Sequence, residues 1–294
     1  MRLRLRALHD LFGAEIIGSE ITDGDPALTS AISDAIGSRG LLLFRGVNFD
    51  DDALARFAAR FGPLQNMTSQ PDARLHVIRV TNLTEDGNIK AVDEASRRRH
   101  EPNKLWHVDS SFIFPGATYS FLQARIVPKA GGETEFCDGR AAWDALTPAQ
   151  QLRLTGLTAH HSIAHSWRLV GVEAPAPARA QPRPVVRTLA HRHTPSGRET
   201  LNIPSHVERI DGLDKAQTRI LLEELIQIAA APERVYRHKW KEGDLLMWDN
   251  RCMLHRVAAY REFEDPRDLR SCRVVDVNDT DATAGAPRPA AGQY

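Results

Sequence analysis

Leu105-Trp106-His107-Val108-Asp109-Ser110-Ser111-Phe112 is the stretch on which the fold turns. In an extended segment successive side chains alternate faces, so His107 and Asp109 point the same way. An imidazole and a carboxylate so placed can take two neighbouring positions on one metal ion. A third ligand must then come from elsewhere. The candidate is His255, in Met247-Trp248-Asp249-Asn250-Arg251-Cys252-Met253-Leu254-His255-Arg256, half the chain away. Two histidines and one carboxylate, with the remaining positions open, make the facial triad of non-haem Fe(II) sites. His-x-Asp alone is a short motif that many surfaces carry, so the fold must bring the distant histidine to it.

The rest of the chain reads as many short strands with helices between them. Gly40-Leu41-Leu42-Leu43-Phe44-Arg45-Gly46 is an apolar run closed by glycines, a buried strand. Residues 25–36 and 50–60 read as helices on either side of it, the first opened by Pro26 with Leu28, Ile32 and Ile36 on one face. Further strands are expected at 14–17, 75–80, 117–127, 133–137, 157–162, 235–240, 244–248 and 269–277. Helices are expected at 139–146, after Thr147-Pro148, and at 214–230, the last with Leu221, Leu222, Leu225, Ile228 and Ala229 on one face. Residues 184–189 and 200–203 read as a hairpin. The proline-rich stretch 173–184 reads as an exposed loop with no helix or central strand. The polar stretch 84–104, with Arg97-Arg98-Arg99-His100, reads as a solvated loop that can act as a lid over a site.

That pattern predicts a mainly β fold with flanking helices, a double-stranded β-helix (jelly roll, cupin-like), and not alternating βαβ units. A jelly roll also brings strands distant in sequence together at one mouth, which the His107–His255 pairing requires. Residues 1–280 are expected to form one domain and 281–294, rich in Ala, Pro and Gly, a disordered tail.

Composition narrows the function classes. Lys+Arg and Asp+Glu are equal at 38 each, so no net charge draws the chain to nucleic acid or membrane. No run is apolar enough to span a bilayer, and the stretch Met1-Arg2-Leu3-Arg4-Leu5-Arg6 is basic but lacks the apolar run expected of a secretory signal. The three cysteines, Cys137, Cys252 and Cys272, are too few and too scattered for a disulfide framework or a thiolate zinc site. The expected location is the cytoplasm. The expected partner is a small anionic molecule, and self-association into a homo-oligomer is left open.

Several stretches together resemble one family. They are Leu105-Trp-His-Val-Asp-Ser-Ser-Phe, Gly131-Gly-Glu-Thr-Glu-Phe-Cys-Asp, Gly139-Arg-Ala-Ala-Trp-Asp-Ala-Leu, Gly243-Asp-Leu-Leu-Met-Trp-Asp-Asn-Arg-Cys-Met-Leu-His-Arg and Pro266-Arg-Asp-Leu-Arg. In this order they resemble the taurine dioxygenase / 2,4-dichlorophenoxyacetate dioxygenase family of Fe(II)- and 2-oxoglutarate-dependent oxygenases. Within it the text is most similar to the aryloxyacetate-cleaving branch. The resemblance implies that His107, Asp109 and His255 ligate Fe(II), and that Thr134 and Arg267 grip the distal carboxylate of the cosubstrate 2-oxoglutarate, with O2 as the second cosubstrate. A guanidinium fork matches a carboxylate, and a threonine hydroxyl adds a donor. For the substrate the resemblance implies Asn103 and His206. At Ser271 it finds serine where the branch places a second, substrate-holding arginine. Arg273, on the same strand face as Arg267 and Ser271, is the next basic residue along. Trp106 and Trp248 are read as packing beside the ligands. His160-His161, His165 and His191-x-His193 are read as hydrogen-bonded histidines, not ligands.

The implied reaction is hydroxylation of a small organic anion with decarboxylation of 2-oxoglutarate to succinate and carbon dioxide. Where the attacked carbon bears an ether oxygen, the hemiacetal product falls apart to a phenol and an oxo acid. Three other readings stand beside it: a taurine- or alkylsulfonate-type dioxygenase of the same family, a divalent-metal hydrolase using the same three ligands, and a non-catalytic jelly-roll binding protein.

Overall fold

A computed structural model of the chain describes residues 3–18, 25–68, 73–91, 101–179 and 183–279. The first strands are β1 (Arg4–Ala7), β2 (Ala14–Ile17), β3 (Leu41–Phe44), β4 (Val77–Thr81) and β5 (Ala117–Ile126). They are followed by β6 (Thr134–Asp138), β7 (Thr158–His161), β8 (Val185–Thr188), β9 (Ala190–His193) and β10 (Arg198–Leu201). The last are β11 (Val207–Ile210), β12 (Tyr236–His238), β13 (Leu245–Asp249), β14 (Met253–Val257) and β15 (Asp268–Val275).

Seven of these form one sheet in the order β1-β2-β3-β13-β5-β15-β4, antiparallel except for β2 against β3. A smaller antiparallel sheet, β12-β6-β14, lies across from it. The layer between them is filled from both sides. Leu41, Leu43, Leu122, Leu246, Trp248 and Leu269 of the large sheet meet Phe136 and Met253 of the small one, and Phe136 meets Trp248 edge to face at 5.5 Å. This is the expected jelly roll with helices outside.

The apolar runs have a simple cause. In β13, Leu246 and Trp248 point between the sheets, while Leu245 and Met247 point outward against Leu28, Ile32, Ile36, Leu54 and Phe57. Those five belong to the helices Pro26–Arg39 and Asp51–Ala59, which cover the outer face. A strand buried on both faces has no polar side to alternate with. Asp25 and Asp50 cap these helices, accepting from Ala27 N and Ala53 N. Gly40 closes the first at φ 72°, and a Cβ there would meet Met253 Sδ at 2.8 Å, so only glycine suits the corner. On the far side, Leu221, Leu225 and Ala229 of the helix Lys215–Ala229 pack with Leu146, Leu154, Ala159, Val207 and Ile210, and beneath them with Cys137 and Leu254.

Four expectations change. Residues 107–109 do not form a continuous strand: His107 makes a single bridge and the chain turns after Val108. The stretch 173–184 contains one helical turn, Ala176–Arg179, closed by Arg179 N donating to Pro175 O at 3.0 Å. The hairpin is formed by β9 and β10, whereas β8 pairs with β7. The switch falls at the buried Leu189, whose N–H donates to Leu157 O and whose carbonyl accepts from Asn202 N. Met253–Val257, Val207–Ile210 and the helix Ile163–Leu169 are additional elements. The Arg97-Arg98-Arg99-His100 part of the expected lid and the expected tail 281–294 lie outside the described residues.

Candidate active site

His107 and His255 are placed opposite each other by their backbones. His107 N donates to His255 O and His255 N donates to His107 O, each at 2.9 Å. His255 is held in turn by β14, which pairs with β6 so that His255 faces Phe136. The imidazole centroids are 4.1 Å apart. Val108 turns away into the core with Trp106, and alternation returns Asp109 to the histidine side. Ser110 then adopts φ 58°, turning the chain aside, with its hydroxyl donating to Gln65 Oε1 at 2.7 Å. One ligand atom from each of His107, Asp109 and His255 lies within 4.8 Å of the others.

Protonation suits metal binding. His107 Nδ1 is 2.8 Å from Leu105 O; a carbonyl only accepts, so Nδ1 carries the proton and the Nε2 lone pair is free. His255 Nε2 is 3.8 Å from Asp109 Oδ2. Burial lowers the pKa of both rings, that of His255 strongly, where His107 and Arg273 push the same way. Burial alone would raise Asp109, but the Arg273 guanidinium, the two rings and the Ser120 hydroxyl outweigh it and hold the carboxyl well below the usual range. Two neutral imidazoles and a carboxylate form a donor set that fits a divalent first-row ion.

Asp109 is also held from behind. Ser120 Oγ donates to Asp109 Oδ2 at 2.7 Å, Asn250 Nδ2 donates to Ser120 Oγ at 2.9 Å, and Trp248 Nε1 donates to Asn250 Oδ1 at 3.0 Å. Because the indole can only donate, the Asn250 amide has one orientation. Groups that orient metal ligands typically matter about 10–100-fold in metal affinity. Ser120→Ala is therefore expected to weaken Fe(II) or Co(II) binding by about that factor, measured by anaerobic titration, with cooperative unfolding retained. An unchanged dissociation constant would remove the relay from the account.

The triad opens on a cleft of about 110 Å³ whose other wall carries Thr134, Arg267, Asn103, Lys104, Ser271 and Arg273. Arg267 precedes β15 on a loop pinned by Asn82, whose amide donates to Glu262 O and Asp265 O and accepts from Arg267 N at 2.8 Å. The Arg267 side chain is buried, yet no carboxylate among the described residues pairs with it. One NH2 donates to Gly132 O at 3.3 Å, Nε has no partner among the described residues, and the guanidinium carbon lies 5.8 Å from the Tyr260 ring centroid. Burial lowers its pKa to about 10, opposed only by Tyr260. A buried guanidinium without an anion is unfavourable, and the arrangement fits a carboxylate entering the cleft. Thr134 Oγ1 accepts from Trp240 Nε1 at 3.1 Å, which leaves its own O–H to donate toward the same anion. Gly132 lets the chain pass close: a Cβ there would meet Pro128 Cγ at 2.9 Å and Arg267 Cδ at 3.4 Å.

The remaining sequence candidates divide. Asn103, at the end of the 3-10 turn Glu101–Lys104, and Ser271 and Arg273 line the cleft. Arg270 faces away and pairs with Asp268 and Asp51. His206 does not line the cleft, contrary to expectation. Its Nδ1 meets Ser111 Oγ at 2.9 Å, Phe112 packs on it at 4.7 Å, and it backs the His107 ring at 6.2 Å. Burial lowers its pKa to about 3. His193 meets Asp249 at 3.0 Å beside Cys252, but Arg251 grips the same carboxylate at 2.7 Å, so this cluster is a satisfied buried network. Sequence reasoning missed Ser120, Asn250 and Glu262. Of these only Asn250, inside the Trp-Asp-Asn-Arg text, carried a signal.

Comparison with known proteins gives concordant matches. Residues 4–273 match the family described as "Taurine catabolism dioxygenase TauD, TfdA family". The chain is 39% identical over 280 residues to the alpha-ketoglutarate-dependent 2,4-dichlorophenoxyacetate dioxygenase of Cupriavidus pinatubonensis, covering 92% of this chain and 96% of that one. It is 32% identical over 263 residues to the (S)-phenoxypropionate/alpha-ketoglutarate-dioxygenase of Sphingobium herbicidovorans, covering 86% and 88%. Among solved structures, AAD-2 in complex with Mn(II) and N-oxalylglycine superposes with a TM-score of 0.86 at 33% identity, over 94% of this chain and 98% of that one.

Proposed function

The chain belongs to the TauD/TfdA family of Fe(II)- and 2-oxoglutarate-dependent dioxygenases, and from that premise we propose that it oxidises a small aryloxyalkanoate-like carboxylate. We assign the iron to His107, Asp109 and His255 and the distal carboxylate of 2-oxoglutarate to Arg267 and Thr134. The observation that carries the assignment is the buried guanidinium of Arg267, which has no anion of its own among the described residues. A hydrolase using the same three ligands would leave that guanidinium without a task.

Bound there, iron and the 2-oxo acid supply an oxidative decarboxylation that is coupled to hydroxylation of a substrate C–H bond. The chain's residues supply geometry. The Trp248–Asn250–Ser120 relay keeps Asp109 aimed, and the Arg273 guanidinium beside it does most to keep it ionised. Arg267 and Thr134 fix one end of the cosubstrate, so its other end is presented to the triad in one orientation. Leu122, Val257 and the Trp248 ring form apolar wall and limit water. If the hydroxylated carbon bears an ether oxygen, the hemiacetal collapses to a phenol and an oxo acid.

We further propose one domain over residues 1–280, acting in the cytoplasm. The three buried, unpaired cysteines support a reducing compartment, and no helix among the described residues is long and apolar enough to cross a membrane.

The test is a succinate-release screen with the Fe(II)-loaded protein over aryloxyacetates, aryl alkanoates, alkylsulfonates, sulfate esters and neutral controls. Aryloxyacetates or aryl alkanoates are expected to give the highest kcat/KM. Preference for a taurine-like sulfonate would move the protein to the other branch of the family, and preference for a neutral compound would reject the anion.

A further inference from the structure

We propose that Arg273 holds the acidic group of the primary substrate and so sets the cleft's preference for anions, an inference that rests on the dioxygenase reading above. It comes from the charges on the cleft wall. Four cationic side chains line the cleft among the described residues: Lys104, Arg256, Arg267 and Arg273. Lys104 is paired with Glu101 and lies 3.8 Å from Glu262. Arg256 is paired with Glu135 at 2.5 Å and stacks over Trp106 at 4.6 Å. Arg267 is matched by the distal carboxylate of 2-oxoglutarate.

Arg273 differs from the other three. Among the described residues its only acidic partner is Asp109, with NH2 to Oδ1 at 2.7 Å, and its buried Nε has no partner. Asp109 is also a candidate metal ligand. With a dication bound, the charge of Asp109 and that of the 2-oxo acid's first carboxylate are offset by the metal. Arg273 then stands beside a cation with one positive charge unmatched. A substrate carboxylate restores the balance; a neutral substrate does not.

The local geometry agrees. Arg273 lies on β15 on the same face as Arg267 and Ser271, and its side chain retains 20% exposure toward the cleft. Ser271 lines the same cleft but is short and neutral, so no second charge at that position competes for the anion. An acid held by Arg273 sits next to Asp109, which brings the carbon adjacent to the carboxylate toward the triad.

The experiment is calorimetric titration of Mn(II)-loaded protein with 2-oxoglutarate present and oxygen excluded. The probes are two acid–amide pairs, phenoxyacetate with phenoxyacetamide and propanesulfonate with propanesulfonamide. The proteins are wild type, Arg273→Met and Arg273→Lys, each checked for cooperative unfolding and for Mn(II) affinity. Charge-assisted hydrogen bonds are the stronger class, so wild type is expected to favour phenoxyacetate over its amide by about tenfold or more. Arg273→Met is expected to abolish that preference and Arg273→Lys to keep part of it. If Arg273→Met keeps the preference, or weakens acid and amide by one factor, Arg273 only steadies Asp109 and the proposal is overturned. A wild type that does not favour either acid overturns it too. If only the sulfonate pair depends on Arg273, the role of Arg273 stands and the aryloxyalkanoate reading falls.

Discussion

His255→Ala loses metal-dependent succinate formation to background, and its divalent-metal affinity falls with it. The ring is one of three ligands, and without it His107 and Asp109 offer a dication only two of the three grouped donors. The loss is not an effect on folding. The His255 Nδ1 is buried without a partner among the described residues, so removing the ring leaves no broken hydrogen bond there, and the backbone bridge to His107 is untouched. The ring does pack on Trp248 at 4.7 Å and stacks on Phe136 at 5.9 Å, and a cavity is left behind. His255→Gln, which refills part of that volume, is the companion variant. Both should unfold cooperatively and both should be inactive. Wild-type metal affinity in either one would remove His255 from the triad.

Arg267→Ala weakens 2-oxoglutarate binding but does not weaken the fold. Hydrogen bonds to charged groups contribute about 1.5–3 kcal/mol each, so loss of a fork that grips a carboxylate should raise the 2-oxoglutarate dissociation constant about a hundredfold. The substrate constant should move far less. In the absence of 2-oxoglutarate, however, the variant sheds a buried, anion-free guanidinium, and its thermal stability should equal or exceed that of wild type. The upward shift in melting temperature that 2-oxoglutarate gives the wild type should disappear. A variant that is destabilised yet binds 2-oxoglutarate normally would mean that Arg267 is structural. Arg270→Ala is the control, because that side chain is spent on Asp268 and Asp51 on the opposite face.

Much of the site was legible because its chemistry and its packing share a period. His107 and Asp109 converge since Val108 between them has a core to enter. Arg267, Ser271 and Arg273 share the cleft and Arg270 does not, as the two-residue repeat of a strand requires. The helix ends at Asp25, Asp50, Thr147 and Asp214 were readable because a capping side chain meets its own backbone. What was not legible depends on contacts between segments far apart in sequence. Ser120 is a small polar residue inside an apolar strand, and only the fold shows that it bridges Asn250 and Asp109. His206 was read as lining the pocket, but the bond from Ser205 N to Trp106 O at 2.8 Å ties its loop behind the metal segment, not in front of it. The hairpin partner of β10 was misassigned because an apolar run such as 184–189 suits either sheet. The hydrogen bonds at Leu189 decide which. Asp249 meets His193 from another strand, 56 residues away along the chain, a pairing that no local spacing announces.

One metal site is expected to couple 2-oxoglutarate decarboxylation to substrate oxidation. The most direct measurement follows both products together: carbon dioxide released from carboxyl-labelled 2-oxoglutarate and phenol released from an aryloxyacetate, with Fe(II) and oxygen supplied. The two should appear in equal amounts, both should require Fe(II), and both should vanish in Asp109→Ala. Phenol formed without 2-oxoglutarate consumption, or carbon dioxide release that persists in Asp109→Ala, would contradict the account.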